Sequence, residues 1–359
     1  MIYNPLPKEG SKIAVALSGG VDSSVAACIL KDMGYDLTGI TLRVSRGLSG
    51  QSDCLGDDAT LDALRVCQTL GIKHYVLDVS RLFERAILDY FKNEYMRLRT
   101  PNPCIRCNEL IKWGYIQKRV RVLGIEYIAT GHYARIALDT SLNDAPRHFI
   151  VRARDTAKDQ SYVLWRLNNK AISKTIFPLG ELSKDEVRGI ASRFGLHVAG
   201  KKDSQDFCLR AGTDLPSRVF ELRFKDGRLL GRHDASHPLT IGQRGGMKIA
   251  YGKALYVMRI DGNTGCIFLT DDREDLLCSS IRAIRVNCFI YVPDEGLDVT
   301  AKIRSVGRVY KAHLHRLGRD EMRVSFNDMP YAAALGQSVV CYIDDVLVAG
   351  GIIDGVNEE

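Results

Sequence analysis

The sequence predicts an α/β protein of two or three domains, with a parallel-sheet domain first, a small central domain, and a β-barrel last. Three observations predict it. At 359 residues the chain exceeds one ordinary domain. Its first two hundred residues alternate strand and helix patterns, the signature of a parallel sheet covered by helices. From Ile281 onward every patterned segment is short and β-like, as in a closed barrel. The expected boundaries are 1–212, 213–280 and 281–359.

Lys12 to Leu17 is a short apolar strand. After a Gly-Gly turn, Val21, Val25, Ile29 and Met33 recur every four residues and mark one buried helical face. DLTGITLRV reads as a second strand, Leu61 to Leu70 as a helix, and HYVLDV as a third strand. A helix from about Glu109 to Leu123 and the strand YIATGHYA follow. Ser183 with Glu186 three residues on forms a capping box, ahead of a stripe of Val187, Ile190, Ala191 and Phe194. Residues 213 to 280 are rich in Gly, Arg and Asp, with short irregular pieces. The barrel strands are expected in IRAIRVNCFIY, VTAKIRSV, YKAHLHRL, EMRVSF and QSVVCYIDDVLVAGGII.

Composition narrows the function classes. Hydrophobic residues make up 45% and charged residues 26%, ordinary for a globular protein with a real core. The net charge of +7 leans mildly toward polyanions. The N-terminus lacks a basic segment followed by a long apolar run, so no signal peptide is expected. No stretch is long enough to span a bilayer, and a cytoplasmic protein is expected. Ten cysteines in such a chain read as reduced thiols rather than a disulfide framework. Cys28, Cys67, Cys288 and Cys341 lie in apolar patterns and read as inert core residues.

The turn Ser18-Gly19-Gly20-Val21-Asp22-Ser23-Ser24 is built for an anion. Its glycines permit a tight turn, the helix start presents unpaired N–H groups, and its serines add donors. Asp22 is out of place beside phosphates unless it holds Mg²⁺. The alternative is a plain helix cap. A Walker loop is excluded, because the nearest candidate, Gly246 to Ala254, has the wrong spacing and ends in Ala.

Two other cysteine settings stand apart. Cys104 and Cys107, in TPNPCIRCN, lie just before or at a helix start, where a thiolate is favoured. Half a zinc site, a redox pair and a catalytic thiol all fit that spacing, though no second CxxC or HxxxH completes a zinc set. Cys208 closes KKDSQDFC, a loop setting that is locally basic.

SGGVDSS resembles the pyrophosphate loop of the ATP pyrophosphatases. Together with TPNPCIRCN, ATGHYAR, AKDQSYVLW, SQDFC, TIGQR and GQSVVCYIDDVLVAGG, in this order, the chain resembles the bacterial and mitochondrial tRNA 2-thiouridylases over nearly its full length. The resemblance implies a nucleotide hydrolase-like N-terminal domain that uses ATP, with Mg²⁺, to adenylate and then thiolate the wobble uridine of tRNAs for Lys, Glu and Gln. It implies that Ala16, Leu17, Ser18, Gly19, Gly20, Val21, Asp22 and Ser23 bind ATP, helped by Leu42 and Gly131. It places Asn102, Pro103, Cys104, His132, Lys158, Asp159 and Gln160 at the tRNA, with Gln337 and Arg304 reaching it from the barrel. Cys107 becomes the nucleophile and Cys208 the persulfide carrier, loaded by a cysteine desulfurase or sulfur carrier. Whether the persulfide attacks directly or is first reduced by Cys107, with a Cys107–Cys208 disulfide forming, stays open. Three positions depart from the pattern. Cys104 stands where many relatives carry Asp, Arg304-Ser305 replaces an Arg-Tyr pair, and Gly231 to His237 differs from the usual glycine-containing version. Two other readings remain: a synthetase acting on a small carbonyl substrate, and an RNA-binding protein built on the barrel.

Overall fold

The computed structural model describes residues 1–44, 57–141, 146–201, 219–234, 239–262 and 264–357. Their contacts divide the chain into two compact units. One holds residues 1–87, 104–212 and 345–347, the other 88–103, 213–344 and 348–359.

The first unit is organised by a five-stranded parallel sheet. Its strands are β2 (Lys12–Ala16), β3 (Asp36–Arg43), β4 (Lys73–Asp78), β5 (Tyr127–Thr130) and β8 (Thr175–Ile176), in the order β4-β3-β2-β5-β8. An antiparallel ribbon of β1 (Ile2–Tyr3), β6 (Arg135–Asp139) and β7 (Arg147–Val151) accompanies it. Alternation along the strands feeds two cores. Ile13, Val15 and Ala129 pack with helices α1 (Val21–Asp32) and α2 (Asp57–Leu70) and with Val187 and Ala191. Ala14, Ile40 and Ile128 pack instead with Ile116 and Val120. Both faces are thereby covered, as a parallel sheet requires. The chain leaves β2 toward β3 on one side and returns to β5 on the other. That reversal opens a crevice at the carboxyl ends of β2 and β5, where such folds collect ligands.

The expected helices form, with adjustments. α1 buries Val21 and Val25, but Ile29 is only partly buried and Met33 is exposed. The capping box is present: Ser183 N donates to Glu186 Oε2 at 2.7 Å and Glu186 N to Ser183 Oγ at 3.3 Å. The helix expected near Glu109 begins six residues earlier. It runs from Pro103 to Cys107 as α-helix, through Asn108–Ile116 as π-helix, and on to Val122 as α-helix. Proline at the first helical position has its φ preset and no N–H to waste, which moves the start upstream.

In the second unit, β9 (Val219–Phe224), β10 (Leu229–Asp234), β11 (Tyr256–Asp261) and β12 (Cys266–Thr270) form a sheet in the order β10-β9-β12-β11. Phe220, Leu222, Val257, Ile267 and Leu269 supply its buried face. The remaining strands are β13 (Ser280–Cys288), β14 (Leu297–Lys302), β15 (Tyr310–Arg316), β16 (Glu321–Phe326), β17 (Ser338–Ile343) and β18 (Val346–Val356). They run in the order β18-β13-β16-β15-β14-β17, and a β17–β18 pairing closes the antiparallel barrel. Closure removes the exposed edges that an open antiparallel sheet would leave. Residues 88–103, expected inside the first domain, belong to this second unit. Arg99 explains it: its guanidinium donates to Asp354 Oδ1 at 2.8 Å and to the Ile353 carbonyl at 3.1 Å.

Candidate active site

The turn after β2 is rigid before any ligand arrives. Ser18 N donates to Ser23 Oγ at 3.1 Å, and the two hydroxyls lie 3.2 Å apart. The Ser23 and Ser24 hydroxyls both donate to the Gly20 carbonyl, at 3.2 and 2.8 Å. Gly19 has φ +70, and a Cβ there would lie 2.4 Å from the Ala59 carbonyl oxygen. Only glycine satisfies both the backbone angle and that approach. Across the crevice a Cβ on Gly131 would lie 2.6 Å from Ser23 N, so the end of β5 abuts the start of α1. Lys201 Nζ reaches the Gly19 carbonyl at 3.3 Å and Asp62 Oδ2 at 2.8 Å. Leu42 is half-buried at the end of β3.

Asp22 is paired within the protein. Its Oδ1 accepts from Lys184 Nζ at 2.7 Å and from the Tyr133 hydroxyl at 2.9 Å. Lys184 is the first residue of the helix Lys184–Arg193, which Ser183 caps. The sequence reading missed it. The capping box that sets this helix start was visible, but nothing along the chain says that its first lysine meets a turn 162 residues away.

Cys104 is exposed and Cys107 half-buried, both in the first α-helical segment of the Pro103–Val122 run. The inert reading of other thiols matches their burial. Loss of hydration pushes Cys28 and Cys67 up to about 11, and the fully buried Cys341 higher still. Cys288 is only half-buried, and Arg316 donates to its sulfur at 3.0 Å. Cys208 lies outside the described residues.

Several residues expected at tRNA are occupied inside the protein. His132 is buried at 8% exposure, bonded to Thr130 Oγ1 at 2.8 Å and packed against Trp113 and Phe177. Burial, with the Lys112 charge, holds it neutral by lowering its pKa well below the usual histidine range. Asp159 accepts from the backbone N–H groups of Ala153 and Ser161, and Gln160 Oε1 accepts from Tyr133 N. Lys158 is half-buried. In the second unit Gln337 Nε2 donates to the Thr100 and Pro101 carbonyls, both at 3.3 Å, and Asn102 Nδ2 to Ser338 Oγ at 3.3 Å. Arg304 donates to the Ala332 carbonyl. Gln337 and Asn102 fasten the strap that precedes the cysteine helix, because its carbonyls and amides need partners once buried. Pro103 is half-buried at the end of that strap.

One cavity of about 510 Å³ lies beyond the carboxyl end of β4, lined by Asp78, Ser80, Arg81, Leu82 and Tyr115. Among the described residues no helix is long and apolar enough to cross a membrane.

Three family models match consecutive stretches. A tRNA methyl transferase HUP domain matches residues 11–211, a tRNA methyl transferase PRC-barrel domain 214–271, and an aminomethyltransferase β-barrel domain 279–353. The tRNA-specific 2-thiouridylase MnmA 1 of Clostridium botulinum is 39% identical over 96% of this chain and 99% of its own length. The tRNA-specific 2-thiouridylase MnmA of Clostridioides difficile is 38% identical over 96% and 98%. A solved 4-thiouridine synthetase–RNA complex with bound ATP is 16% identical, covers 58% of this chain and 46% of that one, and superposes with a TM-score of 0.37. With close identity over nearly its whole length, the chain belongs to the tRNA-specific 2-thiouridylase family.

Proposed function

We propose that this protein is a tRNA-uridine 2-sulfurtransferase that spends ATP to replace the C2 oxygen of the wobble uridine with sulfur, in tRNAs for Lys, Glu and Gln. The observation that carries the reading is the coexistence, in one compact unit, of a preorganised anion-binding turn and a thiol-bearing helix start. The family descriptions speak of methyl transfer, but a paired-thiol motif in the same unit as a nucleotide turn suits sulfur transfer, and the full-length relatives carry that name.

The chemistry needs an activated oxygen, because the uridine C2 oxygen is a poor leaving group. That oxygen attacks the α-phosphorus of ATP, and pyrophosphate departs. N–H groups at the start of α1, with Lys184, stabilise the negative charge that develops there. Asp22, Ser18 and Ser23 offer only oxygen donors, which fits a Mg²⁺ ion carried with the triphosphate. When bound, that ion offsets the charge of the leaving pyrophosphate. In the second half-reaction Cys208 carries a persulfide received from a cysteine desulfurase or a carrier. The Cys107 thiolate attacks the inner sulfur, the outer sulfur bonds to C2, and AMP leaves with the original oxygen. A Cys107–Cys208 disulfide results, and a cellular thiol reduces it before the next turnover. The uridine must unstack to enter, which costs little in an anticodon loop.

Pyrophosphate release and 2-thiouridine formation on bulk tRNA test the reading. Cys107→Ser should release pyrophosphate with tRNA yet form no 2-thiouridine. Equal pyrophosphate release with small carbonyl metabolites in place of tRNA would overturn it.

A further inference from the structure

A continuous run of hydrogen bonds joins the nucleotide turn to the cysteine helix, and the reaction scheme above gives it no role. Asp22 Oδ1 accepts from the Tyr133 hydroxyl at 2.9 Å. Tyr133 and Gln160 hold each other twice: Tyr133 N donates to Gln160 Oε1 at 3.0 Å, and Gln160 N to the Tyr133 carbonyl at 2.8 Å. Val163 N donates to the Gln160 carbonyl at 3.1 Å. The Val163 carbonyl in turn accepts from Asn108 Nδ2 at 2.9 Å. Asn108 is the residue after Cys107.

Three features make this run more than incidental packing. Tyr133, Tyr162, Leu164 and Trp165 are buried to 1% exposure or less, so the segment is wedged and moves as a body rather than by small rotations. Asn108 is 2% exposed, yet its Oδ1 has no hydrogen-bond partner among the described residues. A buried acceptor in that state is destabilising, a cost that the Asn108 amide carries alongside its bond to the Val163 carbonyl. Asn108 also opens the π-helical stretch Asn108–Ile116. Such turns deviate from the α-helical ladder and recur at functional sites.

We propose that Asn108 is a positioning residue for Cys107, through which occupancy of the nucleotide turn sets the orientation of the thiol. The proposal rests on the reading that the turn binds ATP and that Cys107 reacts. An arriving triphosphate competes with Asp22 for Lys184, now 2.7 Å from that carboxylate. The carboxylate then redistributes its bonds, and the Tyr133 hydroxyl is one of them. Tyr133, Gln160 and Val163 carry the change to the Asn108 amide.

Site-resolved mass spectrometry measures the rate at which iodoacetamide alkylates Cys107 in the full chain, with and without the ATP analogue bearing an α,β-methylene bridge. Calorimetry on the same samples measures binding of that analogue. In the unmodified protein the analogue should change the Cys107 rate by ~5-fold or more, the lower end of ordinary coupling. In Asn108→Leu and in Tyr133→Phe the change should vanish, while both variants still alkylate at Cys107. Tyr133→Phe removes a single hydroxyl and carries the test if Asn108→Leu fails to fold. An unchanged rate in the unmodified protein despite bound analogue overturns the proposal, as does a full response in either variant. Failure of the analogue to bind the unmodified protein overturns the ATP reading itself, and this proposal with it.

Discussion

The nucleotide turn and the cysteine helix of the first unit are built to opposite standards. In the turn, Ser18, Ser23 and Ser24 bond to one another and to Gly20, and Asp22 is paired twice. In the helix, Asn108 Oδ1 and Gln117 Nε2 are buried without hydrogen-bond partners among the described residues, and nine residues run as π-helix. On the proposed reading the backbone N–H groups of the turn stabilise charge at a fixed place, and fixed dipoles do this best when they need not reorganise. On the same reading the helix presents a thiol that must reach the persulfide of a second cysteine during turnover. The contrast shows that preorganisation is local to the step that needs it.

The most damaging test of the rigid half is Asp22→Ala. It removes the anchor of both Lys184 and the Tyr133 hydroxyl, and pyrophosphate release should fall by ~100-fold or more, the usual cost of losing one aligned charge stabiliser. Lys184→Met should reproduce most of that loss. Normal pyrophosphate release by either variant would mean that the turn is only a helix cap.

Gly19→Ala probes the backbone rather than the charge. With φ +70 and the Ala59 carbonyl oxygen 2.4 Å from the added carbon, the variant should lose about 1–3 kcal/mol of stability through strain. Denaturant melts read this directly. A wild-type midpoint would show that the turn yields where it is described as rigid.

The same contrast bears on what the sequence revealed. The turn was legible because its chemistry is contiguous: glycines, serines and an aspartate within seven residues. The parallel sheet and barrel were legible from strand spacing and apolar alternation. Lys184 was not, since its meeting with Asp22 depends on how Ser183–Arg193 docks on α1. The inward roles of His132, Asp159, Gln160 and Gln337 were hidden for a related reason. Polar side chains in a recognisable motif read as ligand contacts, whereas buried backbone groups must also be satisfied and draw on the same side chains. The strap 88–103 escaped because its attachment runs through Arg99 and Asp354, 255 residues apart.

His132 makes the rigid half sensitive to acid. Burial lowers its folded pKa well below 6.5, so the folded state resists a proton that the unfolded chain accepts. Its contribution is complete above the unfolded value and is lost as pH falls below about 6.5, at up to ~1.4 kcal/mol per pH unit. His74 and His148, whose values burial also lowers, act with the same sign. Unfolding midpoints at pH 7.5 and 5.5 should therefore diverge more in the unmodified protein than in His132→Asn. Identical divergence in the two would remove His132 as the cause.

The smallest expected effect separates local helix stability from the site it serves. Ser183→Ala deletes one half of the capping box, and the cost should be about 1 kcal/mol of stability, typical for an N-cap serine. Glu186, held down at about 2 by the Ser183 backbone N–H and by Arg154, still accepts from that N–H, so the helix should persist. Lys184 is the residue immediately after the lost cap, and fraying of this first turn leaves it less often at the turn where an arriving triphosphate would recruit it. The variant should therefore raise the KM for ATP by a few-fold while kcat at saturating ATP stays near normal, because the bound triphosphate restores the lysine to its place. Steady-state pyrophosphate release across ATP concentrations distinguishes the cases. A fall in kcat with unchanged KM would show that Ser183 acts on the chemical step, and that the division between a rigid turn and an adaptable helix is drawn in the wrong place.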